Sequence, residues 1–170
     1  MYGSSGNGSP LHMSGEMFTA QAGVNMIHVP YKGGSAHILD LIGGRLDVIF
    51  DTSTNSTPLI KGNKVRAIAV SSKTRLSDFP NVPTMTEAGY PDFSVNGWYA
   101  LYAPAKTPAP IVERLSLELQ KVLKLPEVIE KLHGVGVTPG TGKADELAKY
   151  APVELEKYRK LIKDANIKAD

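Results

Sequence analysis

Short apolar runs alternate with longer amphipathic ones along the first hundred positions, and that alternation is the main structural signal in the chain. Met26–Tyr31 (MIHVPY), Asp47–Asp51 (DVIFD), Val65–Ser71 (VRAIAVS) and Val95–Ala103 (VNGWYALYA) have the length and composition of strands. Pro10–Ala22, Ser35–Ile42 and Ser53–Lys61 are compatible with short helices. Ile38, Leu39, Leu41 and Ile42 form an apolar stripe on the second of these, and Gly43-Gly44 closes it. Strands alternating with helices across short connections predict an α/β fold with a mainly parallel sheet flanked by helices. Right-handed crossovers then place the strand-to-helix turns on one edge of that sheet.

The pattern changes after Ser71. Pro80, Pro83 and Pro91 mark an excursion, within which Thr84-Met85-Thr86-Glu87 reads as a capping box stopped at Gly89. Beyond Ala103 the chain turns helical. Thr107 and Pro108 suit a helix start, and Ile111, Leu115, Leu119, Val122 and Leu123 share one face. Pro126 opens a helix ending near Gly134, and Val135–Thr138 has the pattern of a brief strand. A last helix is expected from Ala144 to Ala165, with Asn166 as its left-handed cap and a kink or split at Pro152. The chain thus divides into an α/β lobe over 1–100 and a helical segment over 101–170.

At 170 residues the polypeptide suffices for one ordinary domain, or for one lobe with an appendage. A formal charge of +2 with scattered Lys and Arg does not fit a nucleic-acid binder. No apolar run reaches membrane-spanning length, and residues 1–20 lack the pattern of a signal peptide. The absence of cysteine excludes disulfides, thiolate metal sites and a Cys nucleophile. Nothing in the composition calls for a cofactor.

Candidate chemistry sits in three turns. Gly3-Ser4-Ser5-Gly6-Asn7-Gly8-Ser9-Pro10 ends in a good N-cap and first helical residue, although only Met1 and Tyr2 precede it where a buried strand is usual. Gly33-Gly34-Ser35 and Asp51-Thr52-Ser53 lead into the next two helices. Each turn offers small residues, hydroxyls and unpaired N–H groups at a helix start, an arrangement suited to anions. One such turn is ordinary α/β architecture; three on one edge favour a binding cleft. The histidines carry less weight. His12 pairs by spacing with Glu16 and His37 with Asp40, without a third metal ligand, so both are expected to be solvated or locally bonded. A Ser-dependent hydrolase using Ser9, His12 and Asp51 is a rival reading, but no G-x-S-x-G elbow is present. Gly136–Lys143 misses the phosphate-loop pattern at its first glycine and at Ala144.

Several motifs occur together in one order: Gly6-Asn7-Gly8-Ser9-Pro10-x-His12, His28-Val29-Pro30-Tyr31-Lys32-Gly33-Gly34 and Gly44-Arg45-Leu46-Asp47-Val48-Ile49-Phe50-Asp51. Val65-Arg66-Ala67-Ile68-Ala69-Val70, Pro80-Asn81-Val82-Pro83-Thr84 with Glu87-Ala88-Gly89, and Ala103-Pro104-Ala105-x-Thr107-Pro108 follow. Over nearly its whole length the chain resembles the Bug receptors, the substrate-binding proteins of tripartite tricarboxylate transporters. The resemblance implies a non-enzymatic periplasmic receptor, built as a two-lobed clamshell, that delivers small carboxylates or related organic solutes to membrane transporter subunits. It also implies that this chain starts at the second lobe and that the helices after Pro108 pack on a first lobe. On matching positions the ligand contacts would be Ser5, Gly6, Gly8 and Ser9, then Gly34, Ser35 and Ala36, and Asp51 at the third turn. One wall without its opposite is expected to bind weakly. The apolar helical face around Leu115 and Leu119 then predicts a homodimer through the C-terminal helices. The remaining rival is an oligomerising interaction module, in which Ser9 and Ser35 are dispensable and Leu115 or Leu119 is not.

Overall fold

The computed structural model describes residues 1–33, 35–93, 95, 97–134, 137–165 and 167. Two compact units emerge, Met1–Gly97 together with Tyr158–Asp170, and Trp98–Lys157. The first begins with a strand, β1 (Tyr2–Ser4), followed by α1 (Pro10–Ala22), β2 (His28–Pro30), α2 (Ala36–Ile42), β3 (Val48–Ile49) and α3 (Ser53–Lys61). The three strands form a parallel sheet in the order β2-β1-β3, with Tyr2 level with His28 on one side and Val48 on the other. The strand expected before the first turn is therefore within the chain. It uses Gly3 and Ser4 of what reads in sequence as a loop, and all three of its residues are buried.

Gly3 is required at the centre of this sheet. A Cβ there would lie 2.5 Å from Leu46 Cδ1 and 3.1 Å from His37 Cβ, so the face of β1 toward α2 has no room for a side chain. On the opposite face Tyr2 meets α1 at Gly15, where a Cβ would come within 2.1 Å of the ring. Successive strand side chains point to opposite faces, so α1 and α2 cover opposite sides of the sheet. Winding reverses direction at β1, because the chain steps from β1 to β2 and then crosses back past β1 to β3.

The helix boundaries follow local chemistry. Ser9 Oγ accepts the His12 N–H, Pro10 opens α1, and Gly23 closes it in the left-handed region at φ +64°. Thr52 caps α3 by accepting the Asn55 N–H. In the proline-rich excursion Thr84 and Glu87 satisfy one another reciprocally, Thr84 N–H donating to Glu87 Oε2 at 2.8 Å and Glu87 N–H to Thr84 Oγ1 at 3.1 Å. That capping box closes a single turn and no helix grows from it. The core of this unit gathers Met17, Met85, Phe93 and Val95, with Phe18, Phe50, Ala69, Tyr90 and Leu161 against them.

Two expected strands do not form among the described residues. Val65–Ser71 contributes one bridge, Val70 to Thr84, and Val95–Ala103 has no ladder partner. Alternating apolar residues favour a strand only where a neighbouring edge offers hydrogen bonds. The apolar stripe of α2 is also different from expectation, since His37 and Ile38 are buried while Leu39 and Ile42 are exposed.

The second unit holds α4 (Ala109–Val122), α5 (Pro126–Gly134) and the start of α6 (Ala144–Asp164). Ser116 Oγ donates to the Gly142 carbonyl at 2.9 Å, fastening α4 to the loop before α6. Helix α6 continues through Pro152 instead of splitting there. Gly34, Asn166 and the first half of the brief strand expected at Val135–Thr138 lie outside the described residues, and no strand forms at Val137–Thr138. No helix of the described residues is long and apolar enough to cross a membrane.

Candidate functional site

A parallel sheet delivers the ends of all its strands to one edge. The turns after β1, β2 and β3 therefore share that edge, and β1, where the winding reverses, lies between the other two. The first turn is tied to the second by backbone bonds: Tyr31 N–H donates to Ser4 O at 3.1 Å and Gly33 N–H to Ser5 O at 3.0 Å. Gly6 and Gly8 adopt φ +130° and +72°, a region that side chains disfavour.

Most backbone donors of the first turn are engaged within the fold. Gly6 N–H donates to Ser4 Oγ at 3.1 Å, Gly8 N–H to His12 Nδ1 at 3.1 Å, and Ser9 N–H to Gly6 O at 3.2 Å. Ser9 Oγ accepts the His12 backbone N–H, which leaves its own hydroxyl proton for a ligand. The half-buried Ser5 carries a hydroxyl with no bond among the described residues. In the second turn Ser35 occupies the N-cap position without a side-chain capping bond, and both Ser35 and Ala36 are exposed. The edge thus presents hydroxyls at Ser5, Ser9 and Ser35.

Asp51 stands apart from these exposed groups. Its side chain is 2% exposed and accepts from Ser56 Oγ at 2.8 Å and Asn55 Nδ2 at 3.3 Å. His37 Nε2 lies 3.6 Å from Asp51 Oδ1, and neither nitrogen of that buried ring has a hydrogen-bond partner among the described residues. This corrects the expected pairing of His37 with Asp40. Asp40 instead accepts from Tyr31 OH and from Arg45, and the Arg45 guanidinium, with the Tyr31 hydroxyl, holds its carboxyl below the usual range.

His12 is likewise buried, and it makes the local bond that was expected, accepting the Gly8 N–H at Nδ1 with Glu16 facing Nε2. Its ring stacks on His28 with centroids 3.8 Å apart and planes 7° from parallel. His28 Nε2 meets Ser4 Oγ at 2.7 Å, and Tyr2 OH donates to Glu16 Oε1 at 2.6 Å. Ser4, His28 and His37 are not among the site residues expected from sequence; Ser4 ends β1, whereas His28 opens β2 and His37 lies in the first turn of α2, positions that carry no local cue. The hydrolase grouping is not assembled. His12 Nδ1 is occupied by Gly8, its Nε2 faces Glu16 at 3.6 Å, and Asp51 belongs to His37. No cluster of metal-ligating side chains occurs among the described residues.

Burial pushes the His12 imidazole toward its neutral form, against the weaker opposite pull of Glu16. A histidine with a lowered folded value contributes stability that is fully present above the ordinary 6.5 and is lost as pH falls below it. Urea unfolding at pH 7 and pH 5.5 is expected to show lower stability at the acid value, with a smaller difference in His12→Asn. An equal difference in the variant would remove His12 as the source.

Two open depressions lie elsewhere, one of about 570 Å³ beside Ile60, Arg66 and Val82 and one of about 690 Å³ beside Val112, Leu117 and Lys143. Neither includes a residue of the three turns, and both are wide open to solvent, so the turn edge is the stronger candidate.

Residues 1–167 match the family model described as "Tripartite tricarboxylate transporter family receptor". A UPF0065 protein encoded between ttuE and ttuC′ in Agrobacterium vitis is 40% identical over 170 residues, covering 96% of this chain and 48% of that protein. The R. palustris protein Rpa4515, solved with adipate, superposes with a TM-score of 0.86 at 32% identity, covering 98% of this chain and 56% of that one. The periplasmic binding protein BugD superposes at 0.84 with 33% identity, covering 99% and 57%. The chain spans about half the length of these relatives.

Proposed function

The chain belongs to the tripartite tricarboxylate transporter receptor family, and on that premise we propose that it supplies the carboxylate-binding sheet edge of a periplasmic solute receptor. The observation that carries the reading is the order β2-β1-β3, which gathers three hydroxyl-bearing turns on one edge. A carboxylate accepts hydrogen bonds from such groups, and bonds to a charged acceptor are about twice as strong as neutral ones. The hydroxyls of Ser5, Ser9 and Ser35 make the contacts, Gly6 and Gly8 shape the first turn, and Gly34 and Ala36 flank Ser35 in the second. Asp51, buried and bonded to Ser56 and Asn55, fixes the third turn from within the fold. The solute passes on to membrane transporter subunits.

Ser9, Ser35 and Ala36 all face solvent to some degree, so water competes with the ligand on this edge. The 170 residues by themselves are expected to bind adipate with a dissociation constant of about 1 mM, equivalent to about 4 kcal/mol. Ser5→Ala and Ser35→Ala remove hydroxyls that have no bond among the described residues, so each isolates a ligand contact. Each substitution is expected to weaken adipate about three- to tenfold in an NMR titration, the loss of one hydrogen bond. Unchanged affinity in both would refute the site.

A second reading rests on α4, where Ile111, Leu115 and Val122 are 51%, 47% and 44% exposed. Such a face favours self-association into a homodimer. In that case Leu115→Glu leaves adipate binding intact while light scattering shows the loss of a dimer.

A further inference from the structure

The first turn contains two glycines at positive φ, Gly6 and Gly8, and has little steric preference of its own. Its shape depends on what its N–H groups are bonded to. Gly8 N–H is bonded to His12 Nδ1 at 3.1 Å. An N–H can donate there only if Nδ1 carries a lone pair, so the ring proton resides on Nε2, which faces Glu16 Oε1 at 3.6 Å. The plane of the ring is fixed from the other side by the stack on His28. His28 is anchored by Ser4 Oγ, which also accepts the Gly6 N–H. Both glycines of the turn are thus held by one assembly of the buried His12 and Ser4 with the half-buried His28.

We propose that His12 is the positioning residue of the ligand turn, its neutral Nδ1 holding Gly8 and thereby the Gly6–Ser9 segment in the geometry that presents the Ser5 and Ser9 hydroxyls. This rests on the receptor reading of the sheet edge. His12 acts through Gly8 and does not touch the ligand. The titratable groups facing its ring are Glu16 from α1, Tyr2 from β1, with centroids 6.4 Å apart, and His28 from β2. A proton added at Nδ1 sets one donor against another and releases the Gly8 N–H. Burial of the ring opposes that proton and keeps the turn in its holding state at neutral pH.

The test uses the 170-residue protein and begins without ligand. A through-hydrogen-bond N–N coupling between the Gly8 amide and His12 Nδ1 is expected at neutral pH, disappearing as His12 titrates. His12→Asn places a carboxamide oxygen near the position of Nδ1, whereas His12→Gln places it near Nε2. The Asn variant is expected to retain slow exchange of the Gly8 amide and to bind adipate within about twofold of the unmodified protein. The Gln variant is expected to exchange faster and to bind about tenfold more weakly, the equivalent of one lost hydrogen bond. Absence of the coupling, or identical behaviour of the two variants, overturns the proposal. Because the coupling is read in the unmodified protein, a variant that fails to fold does not blunt the test. If adipate perturbs nothing while the coupling and the split in exchange persist, the receptor reading fails and the positioning role stands.

Discussion

Gly15→Ala is expected to destabilise the first unit by about 1–3 kcal/mol, the cost of overpacking a filled core. Helix propensity alone predicts the reverse, since Ala in a helix interior is favoured over Gly by about 0.5–1 kcal/mol. Packing decides because the added Cβ would stand 2.1 Å from Tyr2 Cε2 and 2.4 Å from Cζ. The Tyr2 ring has nowhere to go. It is wholly buried, lies against His28 at 4.9 Å and Phe50 at 6.0 Å, and is fixed at its tip by the bond to Glu16. Burial, reinforced by Glu16, pushes the Tyr2 phenol far up, as expected of a hydroxyl committed as a donor. Urea unfolding followed by circular dichroism reads the difference directly. A stabilised Gly15→Ala would mean that α1 does not seat on β1 as described.

Asp51→Ala is expected to carry the second large effect, a loss of about 1–3 kcal/mol from removing a buried charged acceptor and its hydrogen bonds. The carboxylate holds Ser56 and Asn55 at the start of α3 and is the acidic neighbour of the buried His37. Removing it takes the acidic neighbour from a buried imidazole whose nitrogens have no hydrogen-bond partner among the described residues, and it loosens the third turn. Asp51→Asn keeps an acceptor oxygen and is expected to lose less. The pair is compared by denaturant midpoint, and equal losses would show that the acceptor oxygen is not what matters.

How far the chain was legible depended on whether the deciding interaction is local. Helices α1 and α3 start and stop where the sequence places them, because Ser9, Pro10 and Thr52 act within a few residues of themselves. The reciprocal bonds of Thr84 and Glu87 were legible for the same reason. Strand β1 was not, because Tyr-Gly-Ser has no apolar run. Gly3 is there for the close approach of Leu46 and His37, both distant in sequence. The reverse error occurred at Val95–Ala103, where Tyr99, Leu101 and Tyr102 have strand-like composition but are 88%, 67% and 67% exposed. Pattern cannot supply the neighbouring strand that a ladder needs.

The candidate site divides in the same way. The three turns and their placement on one edge follow from alternation and handedness, and the parallel sheet has that arrangement. The inward bonding of the Gly6 and Gly8 N–H groups does not follow, since it depends on Ser4 and on a histidine one turn into the next helix. His37 was assigned to Asp40 by helical spacing, yet it reaches Asp51 across the sheet edge. Spacing within a helix identifies which residues share a face and says nothing about what that face meets.

The most direct test of the central claim is an NMR titration of the 170-residue protein with adipate, mapped residue by residue. Saturable shifts are expected at millimolar adipate, concentrated in residues 5–9, 33–36 and 51–53, and diminished in Ser5→Ala and Ser35→Ala. Shifts centred on Trp98–Lys157, or no saturable shifts at all, would contradict it.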